Sequence, residues 1–127
     1  MRPAFPFTAS SASALAVVTS SKHCTQVLHA AGLDGLFDAQ VDGNLIDERH
    51  IPGKPAPDTY IEAGRMLGVE PGAAAVYEDA LAGVEAGRAG RFGLVVGVDR
   101  VGQADALRRH GADVVVSDLA ELMPRSR

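Results

Sequence analysis

The chain has 127 residues, of which 46% are hydrophobic and 22% charged, and its formal net charge is −4 with neutral histidines. This size and composition predict one globular domain and exclude a disordered or fibrous chain. The acidic balance argues against binding to nucleic acid or to an anionic membrane surface, which attract basic proteins. The single cysteine, Cys24, excludes an internal disulfide and predicts a reducing compartment, the cytoplasm. No apolar stretch reaches the roughly 18 residues that a membrane-spanning helix needs.

Short β-branched runs alternate with amphipathic segments along the chain, a pattern typical of parallel strands joined by helices. Residues 1–13 contain two prolines and no helix or strand period, so we expect an irregular extension there. One core domain is predicted over residues 14–124, with a short tail at 125–127. The predicted strands are residues 14–18, 39–41, 73–77, 94–98 and 114–116.

Four helices are predicted between these strands. The first has an apolar face formed by Cys24, Val27, Leu28 and Ala31, and it ends at Gly32. The second opens after the prolines at 55 and 57 and ends near residue 68, the third follows residue 79, and the fourth spans about 103–110. Residues 42–43, an Asp-Gly pair, predict a turn. The apolar runs are continuous, which suits strands covered on both faces, so the predicted fold class is a doubly wound α/β layer.

Three polar motifs follow successive strands or crossovers of this layer, where ligands of such sheets gather. The turn Thr19-Ser20-Ser21 suits either a helix N-cap or an anion site at a helix start. Lys54 is either an ordinary surface charge or an ammonium held in a fixed direction by the prolines that follow it. The pair Glu78-Asp79 is either a solvated acidic turn or a ligand set for Mg²⁺, which prefers a few carboxylates and several waters. Together the three motifs can hold a phosphate against a magnesium ion.

Three segments resemble the haloacid dehalogenase superfamily, and specifically its β-phosphoglucomutase-like branch. They are VVTSSKH at residues 17–23, GKPAPDTYIEAGRMLGV at 53–69 and VYEDALAGVEAGRAG at 76–90, and the similarity runs from about residue 15 to residue 122. The resemblance implies a three-layer α/β/α Rossmann-like core with a mostly parallel sheet. It also implies a Mg²⁺-dependent hydrolase or phosphomutase that acts on a small sugar phosphate.

The resemblance assigns roles to particular positions. Thr19 matches the phosphate-binding Ser or Thr of the family, and Ser20 would offer its backbone N–H to the same phosphate. Lys54 matches the lysine that neutralises the transferred phosphoryl group. Asp79 matches the principal Mg²⁺-binding acid, with Glu78 beside it as a direct or water-mediated ligand. A segment that lies near the sugar in mutase-like relatives is matched by Ser21, Lys22 and His23.

The sequence also departs from the family pattern. Family members begin with a strand that ends in Asp-x-Asp, whose first Asp attacks phosphorus and whose second Asp handles acid–base chemistry. The first acid in this chain is Asp34, which lies after the Thr19 motif, and no helical cap domain separates the two motifs. The resemblance therefore implies either the C-terminal portion of an enzyme, inactive without a complementing N-terminal piece, or a non-catalytic remnant that binds phosphate or a partner chain.

The missing strand lies at the centre of the sheet in this family, between the strands predicted at 14–18 and 73–77. An empty position there would leave backbone N–H and C=O groups unpaired. We expect one of three outcomes: the two strands pair directly, the chain borrows a strand from another chain or a second copy, or the sequence is a truncated reading of a longer gene. Substrate identity, hydrolase against mutase activity and oligomeric state stay open.

Overall fold

A computed structural model describes residues 14–122, so the expected N-terminal extension and C-terminal tail lie outside the described residues. The strands are β1 (Ala16–Val18), β2 (Ala39–Val41), β3 (Ala75–Glu78), β4 (Leu94–Val98) and β5 (Val114–Val116). The helices are α1 (Cys24–Ala30), α2 (Gly43–Arg49), α3 (Asp58–Leu67), α4 (Leu81–Ala89) and α5 (Ala104–His110). Short 3₁₀ turns precede β3 and follow β5, at Pro71–Ala73 and Leu119–Leu122.

Most predicted elements are present, and two local predictions are wrong. The Asp-Gly pair predicted as a turn begins α2, because an Asp42 carboxylate oxygen accepts the backbone N–H of Leu45 at 3.0 Å and so caps a helix. The N-cap of α1 is His23, without a side-chain capping bond, and not a hydroxyl of the preceding turn. The hydroxyls of Thr19 and Ser21 instead accept the backbone N–H groups of Ser21 and His23.

The strands form two separate parallel sheets. One sheet pairs β1 with β2, and the other has the order β3-β4-β5. The α/β class with parallel strands is confirmed, and among residues 14–122 no strand lies between the two sheets. Direct pairing between β1 and β3, one of the three expected outcomes, does not occur in the described chain.

Helix α3 joins the two sheets. It contacts both β1 and β2, while its Tyr60 packs in a buried cluster with Val76 of β3 and Ala86 of α4. Val18 of β1 packs against the same cluster. Each large apolar side chain buried in this way contributes about 2 kcal/mol, so the contact holds the sheet edges near each other without hydrogen bonds between them.

A second buried cluster holds the other helices to the three-stranded sheet. Val84 of α4, Val95 of β4 and Leu107 of α5 are each at most 2% exposed and contact one another. Among residues 14–122 no helix is long and apolar enough to cross a membrane.

Candidate active site

One cavity of about 430 Å³ lies at the carboxyl ends of β1, β3 and β4. Five of the predicted site residues line it: Thr19, Ser20, Lys54, Glu78 and Asp79. The predicted sugar-side segment, Ser21, Lys22 and His23, does not line this cavity. Its lysine instead pairs with the Asp47 carboxylate at 2.6 Å on the exposed surface. The topology therefore brings the three polar motifs together from chain positions about 60 residues apart.

The turn after β1 is held by helix α2. The carbonyl oxygens of Ser21 and Lys22 accept the N–H of Gly43 at 2.8 Å and the side-chain amide of Asn44 at 3.1 Å. A Cβ at Gly43 would lie 2.3 Å from the Ser20 carbonyl oxygen, so only glycine permits this approach. The missed helix thus fixes the direction of the turn backbone.

The turn leaves a donor available at the cavity. The Thr19 N–H donates to the Val41 carbonyl at 2.9 Å, and the Thr19 Oγ1 accepts the N–H of Ser21 at 3.1 Å. The N–H of Ser20 has no acceptor among the described residues. A free N–H beside a hydroxyl, at the end of a strand, is the arrangement that binds phosphate oxygens.

Lys54, Tyr60 and Glu78 form one partly buried hydrogen-bonded group. Glu78 Oε1 accepts both the Lys54 ammonium at 3.0 Å and the Tyr60 hydroxyl at 2.6 Å, and Oε2 accepts the N–H of Ala80 at 3.3 Å. The Lys54 ammonium also lies 5.0 Å from the centre of the Tyr60 ring, within cation–π range. These contacts fix the ammonium at the cavity wall.

The same contacts govern the protonation of this group. Burial alone would raise the pKa of Glu78, but the hydrogen bonds from Tyr60 and Lys54 and the Lys54 charge outweigh it, so its pKa lies below the usual value. Burial, and secondarily the hydrogen bond to Glu78, raises the pKa of Tyr60 far above that of a free tyrosine. Glu78 is therefore ionised and Tyr60 is protonated at neutral pH.

Glycine at position 83 makes room for Glu78. A Cβ there would lie 2.1 Å from the Glu78 Cγ and Cδ atoms, a distance that no side chain tolerates. Gly83 lies in the first turn of α4 and has no side chain. The Glu78 side chain occupies the space beside it.

Asp79 is the acid of the pair that remains open. Its side chain is exposed to the cavity and has no hydrogen-bond or ion-pair partner among residues 14–122, while its backbone carbonyl accepts the Gln103 amide at 3.0 Å. Both Glu78 oxygens already accept protein donors. Among the described residues no group of three or more His, Cys, Asp or Glu side chains is placed to hold a metal. Of the two carboxylates that line the cavity, only that of Asp79 has no protein partner among residues 14–122.

Sequence reasoning missed three contributors to this site. Tyr60, Gln103 and Arg100 were not predicted as site residues. Arg100 lines the cavity. It follows β4 as Asp79 follows β3, so the rule on strand ends could have found it. The Tyr60 hydroxyl contact depends on tertiary packing, and no local pattern predicts it.

Comparison with known proteins agrees with the geometry. The family model for haloacid dehalogenase-like hydrolases matches residues 9–91. The chain belongs to the haloacid dehalogenase-like hydrolase family. This confirms the resemblance drawn from the three sequence segments.

The chain is also similar to individual proteins whose names state an activity. It is 58% identical over 112 residues to a β-phosphoglucomutase of Mycobacterium bovis, a match that covers 86% of this chain and 43% of that protein. It is 37% identical over 115 residues to a trehalose-phosphate phosphatase of Mycobacterium leprae, covering 87% of this chain and 25% of that protein. The chain therefore spans less than half the length of these relatives.

A solved structure supports the fold. The β-phosphoglucomutase of Clostridium difficile superposes with a TM-score of 0.73 at 27% identity, over 86% of this chain and 44% of that chain. The two parallel sheets and their helices thus match one portion of a haloacid dehalogenase-like core.

Proposed function

We propose that this chain provides the phosphate-binding and metal-binding portion of a Mg²⁺-dependent phosphoryl-transfer enzyme, a phosphatase or phosphomutase. One observation carries the proposal: the turn Thr19-Ser20, Lys54 and the pair Glu78-Asp79 line a single cavity. Phosphoryl transfer depends on positioning and on neutralising the phosphoryl charge, and these residue types supply both.

The roles follow from the contacts. The Ser20 N–H and the Thr19 hydroxyl bind phosphate oxygens, and the Lys54 ammonium, held by Glu78, neutralises their charge. Asp79 would hold Mg²⁺, with Glu78 nearby as a direct or water-mediated ligand. When bound, the metal supplies positive charge to the phosphoryl oxygens. The charged side chains that line the cavity, two cationic and two anionic, balance one another, so Mg²⁺ would give the site the charge that a phosphate dianion needs.

The proposed substrate is a small sugar phosphate. The names of two relatives, a β-phosphoglucomutase and a trehalose-phosphate phosphatase, both indicate sugar phosphates. Cys24 is the sole cysteine and is buried, which suits the cytoplasm, where we expect the protein to act.

The covalent step needs a nucleophile that the described site does not include. No acidic residue precedes Thr19 in the 127 residues. We therefore expect these residues alone to bind phosphate without turning it over. Activity would need a complementing segment that supplies the nucleophile between β1 and β3. A non-catalytic remnant that binds phosphate or a partner chain is the second candidate, favoured by the same absence.

Two measurements on the 127-residue chain test the proposal: hydrolysis of an aryl phosphate with Mg²⁺, and binding of inorganic phosphate by calorimetry with and without Mg²⁺. We expect no turnover, and phosphate binding that Mg²⁺ strengthens. Lys54→Met should weaken phosphate binding about tenfold because a charge-assisted hydrogen bond is lost. Asp79→Asn should abolish the Mg²⁺ effect, while the control Asp105→Asn, on the exposed surface of α5, should change neither.

Two results decide between the candidates. Turnover that depends on Asp79 would favour the enzyme and contradict our expectation that these residues are inactive alone. Restored turnover on mixing the chain with the N-terminal portion of the M. bovis relative would favour the complementing segment over the remnant. Phosphate binding that survives Lys54→Met unchanged would contradict the proposed site.

A further inference from the structure

Arg100 is a cationic residue of the cavity to which the proposed function assigns no contact of its own. It lines the cavity from the loop that follows β4. The turn Thr19-Ser20, Asp79 and Arg100 line the cavity from the ends of three different strands, β1, β3 and β4, and β4 pairs with β3 but not with β1. The guanidinium therefore comes to the cavity from a different strand end than the phosphate-binding turn does.

The loop that carries Arg100 is held in place. One Asp99 carboxylate oxygen accepts the backbone N–H groups of residues 101–103 at 2.7–3.2 Å. The Asp99 N–H donates to the Val116 carbonyl at 2.7 Å, and the Gln103 amide donates to the Asp79 carbonyl at 3.0 Å. The position of the Arg100 backbone is thus tied to Asp79 and to β5.

The two cations of the cavity differ in their partners. Lys54 is paired with Glu78, and its side chain is only 24% exposed. Arg100 is exposed and has no acidic partner among residues 14–122. A guanidinium offers a planar fork of N–H donors that matches the two oxygens of a carboxylate or phosphate.

We infer that Arg100 is a specificity-determining residue that binds an oxyanion on the organic part of the substrate, apart from the transferred phosphoryl group. The inference rests on the proposed function. It adds that the site prefers phosphate esters whose organic part carries a further negative charge. The Asp99 loop is then the element that sets the distance between the two anion positions.

The test compares three probes that bind to the 127-residue chain with Mg²⁺ present. Inorganic phosphate probes the first anion position, glucose 6-phosphate adds a neutral sugar, and 6-phosphogluconate adds a carboxylate to a similar carbon chain. We expect 6-phosphogluconate to bind about tenfold more tightly than glucose 6-phosphate, because a charge-assisted bidentate contact is worth at least that factor.

Substitutions of Arg100 test the contribution of its guanidinium to this preference. Arg100→Gln should reduce the preference for 6-phosphogluconate to less than about twofold while changing the affinity for inorganic phosphate by less than about threefold. Arg100→Lys should keep part of the preference, because the charge remains but the fork is lost. Arg109→Gln, an exposed change in the last turn of α5 away from the cavity, should behave like the unchanged chain.

The outcomes separate this inference from the proposed function. A chain that binds all three probes equally, or an Arg100→Gln chain that keeps the preference, overturns the inference alone. An equal loss for all three probes would show that Arg100 acts only through overall charge, which also overturns it. If inorganic phosphate does not bind to the unchanged chain at all, the proposed function fails and the inference fails with it.

Discussion

Glu78 shows how one residue serves several others. Its carboxylate accepts three hydrogen bonds, from Lys54, Tyr60 and Ala80, so protein donors occupy three of its roughly four acceptor positions. The result is a fixed lysine beside an open aspartate, Asp79. We interpret Glu78 chiefly as the residue that holds Lys54, and a water-mediated metal contact fits it better than a direct one.

Removing the Tyr60 hydroxyl tests this arrangement. Tyr60→Phe should lower the free energy of unfolding by about 1–2 kcal/mol, because a hydrogen bond to a charged acceptor is lost. The pKa of Tyr60 is raised in the folded chain, so its contribution to stability is present below pH 10.0, the usual pKa of tyrosine, and is lost as the pH rises above it. Denaturant unfolding from pH 7 to pH 11 measures both effects.

The control for this experiment is Tyr77→Phe, because the Tyr77 ring is 46% exposed and has no hydrogen-bond partner among the described residues. The Tyr77→Phe chain should have the same free energy of unfolding at pH 7 as the unchanged chain. It should also show the same decrease in that free energy above pH 10.0, because Tyr60 is still present. A Tyr60→Phe chain whose unfolding free energy has the same pH dependence as the unchanged chain would contradict the assignment.

Adding a methyl group at position 83 tests the space beside Glu78. Gly83→Ala should weaken phosphate binding at least about tenfold, since the Cβ would lie 2.1 Å from the Glu78 side chain and displace it from Lys54. Overpacking costs about 1–3 kcal/mol, which the better helix propensity of alanine offsets by about 1 kcal/mol. Calorimetry should therefore show a large loss of phosphate affinity. The thermal midpoint should change little, because the two effects on stability partly cancel.

Gly72→Ala is the matched control, because no atom lies within 4 Å of the position that its Cβ would take. It should bind phosphate like the unchanged chain. If Gly83→Ala binds phosphate equally well, Glu78 does not set the position of Lys54.

Among the elements, α2 has the least obvious sequence signal and a direct effect on the site. An Asp-Gly pair is common in turns, and here the same Asp42 carboxylate caps a helix. The helix start then binds the backbone of the turn at Ser21 and Lys22. The prediction failed because one local pattern serves both structures, and only the contact with the turn decides between them.

The capping hydrogen bond of α2 contributes to the free energy of unfolding. Asp42→Ala should lower the free energy of unfolding by about 1 kcal/mol at pH 7, whereas Asp42→Asn should be nearly neutral because it keeps a capping oxygen. The bond from the Leu45 N–H holds the pKa of Asp42 below its usual 3.8. Its stabilisation is therefore present above pH 3.8 and lost as the pH falls below it.

Urea unfolding at pH 7 and at pH 3 measures this difference. The gap in unfolding free energy between the unchanged chain and Asp42→Ala should narrow at pH 3. A gap that is constant with pH, or an Asp42→Asn chain as unstable as Asp42→Ala, would show that the cap is not the source of the effect.

Helix α1 shows the reverse situation, in which the sequence pattern is stronger than the packing. Its predicted apolar face contains Cys24, which is buried, and Val27, whose side chain is 60% exposed. The 3.6-residue period predicted the helix correctly, but periodicity does not say which part of a face meets a neighbour.

For the whole molecule, the separation of the two sheets determines how readily the chain associates with other chains. Among the described residues β1 pairs only with β2 and β3 only with β4, and the sheets meet through α3 and the buried cluster around Tyr60. Unpaired strand edges are templates for pairing with other chains.

We therefore expect the 127-residue chain to self-associate through these strand edges. Sedimentation velocity over a range of concentrations measures the association. Tyr77→Lys places a charge on the exposed side of β3 and should reduce association. Val101→Lys, at a 78% exposed loop position outside the sheets, is the control. A chain that stays monomeric at every concentration would contradict this expectation.

The amino-acid sequence by itself determined the features that depend on short-range chemistry. The runs at β4 and β5 predicted their strands correctly, and the helix ends at Gly68 and Gly111 were predicted because glycine adopts the positive φ found there. The three polar motifs were identified because their residue types and their positions after predicted strands or crossovers can be read from the sequence.

Only the tertiary structure decided how these parts meet. Hydrogen bonds between Tyr60 and Glu78, 18 residues apart, and between Gln103 and Asp79, 24 residues apart, depend on how helices and loops pack, which no local pattern encodes. The same holds for Arg100 at the cavity and for the failure of β1 and β3 to pair. Side-chain direction and sheet registry are properties of the assembled chain, since packing free energy is shared among distant residues and is not carried by any one segment.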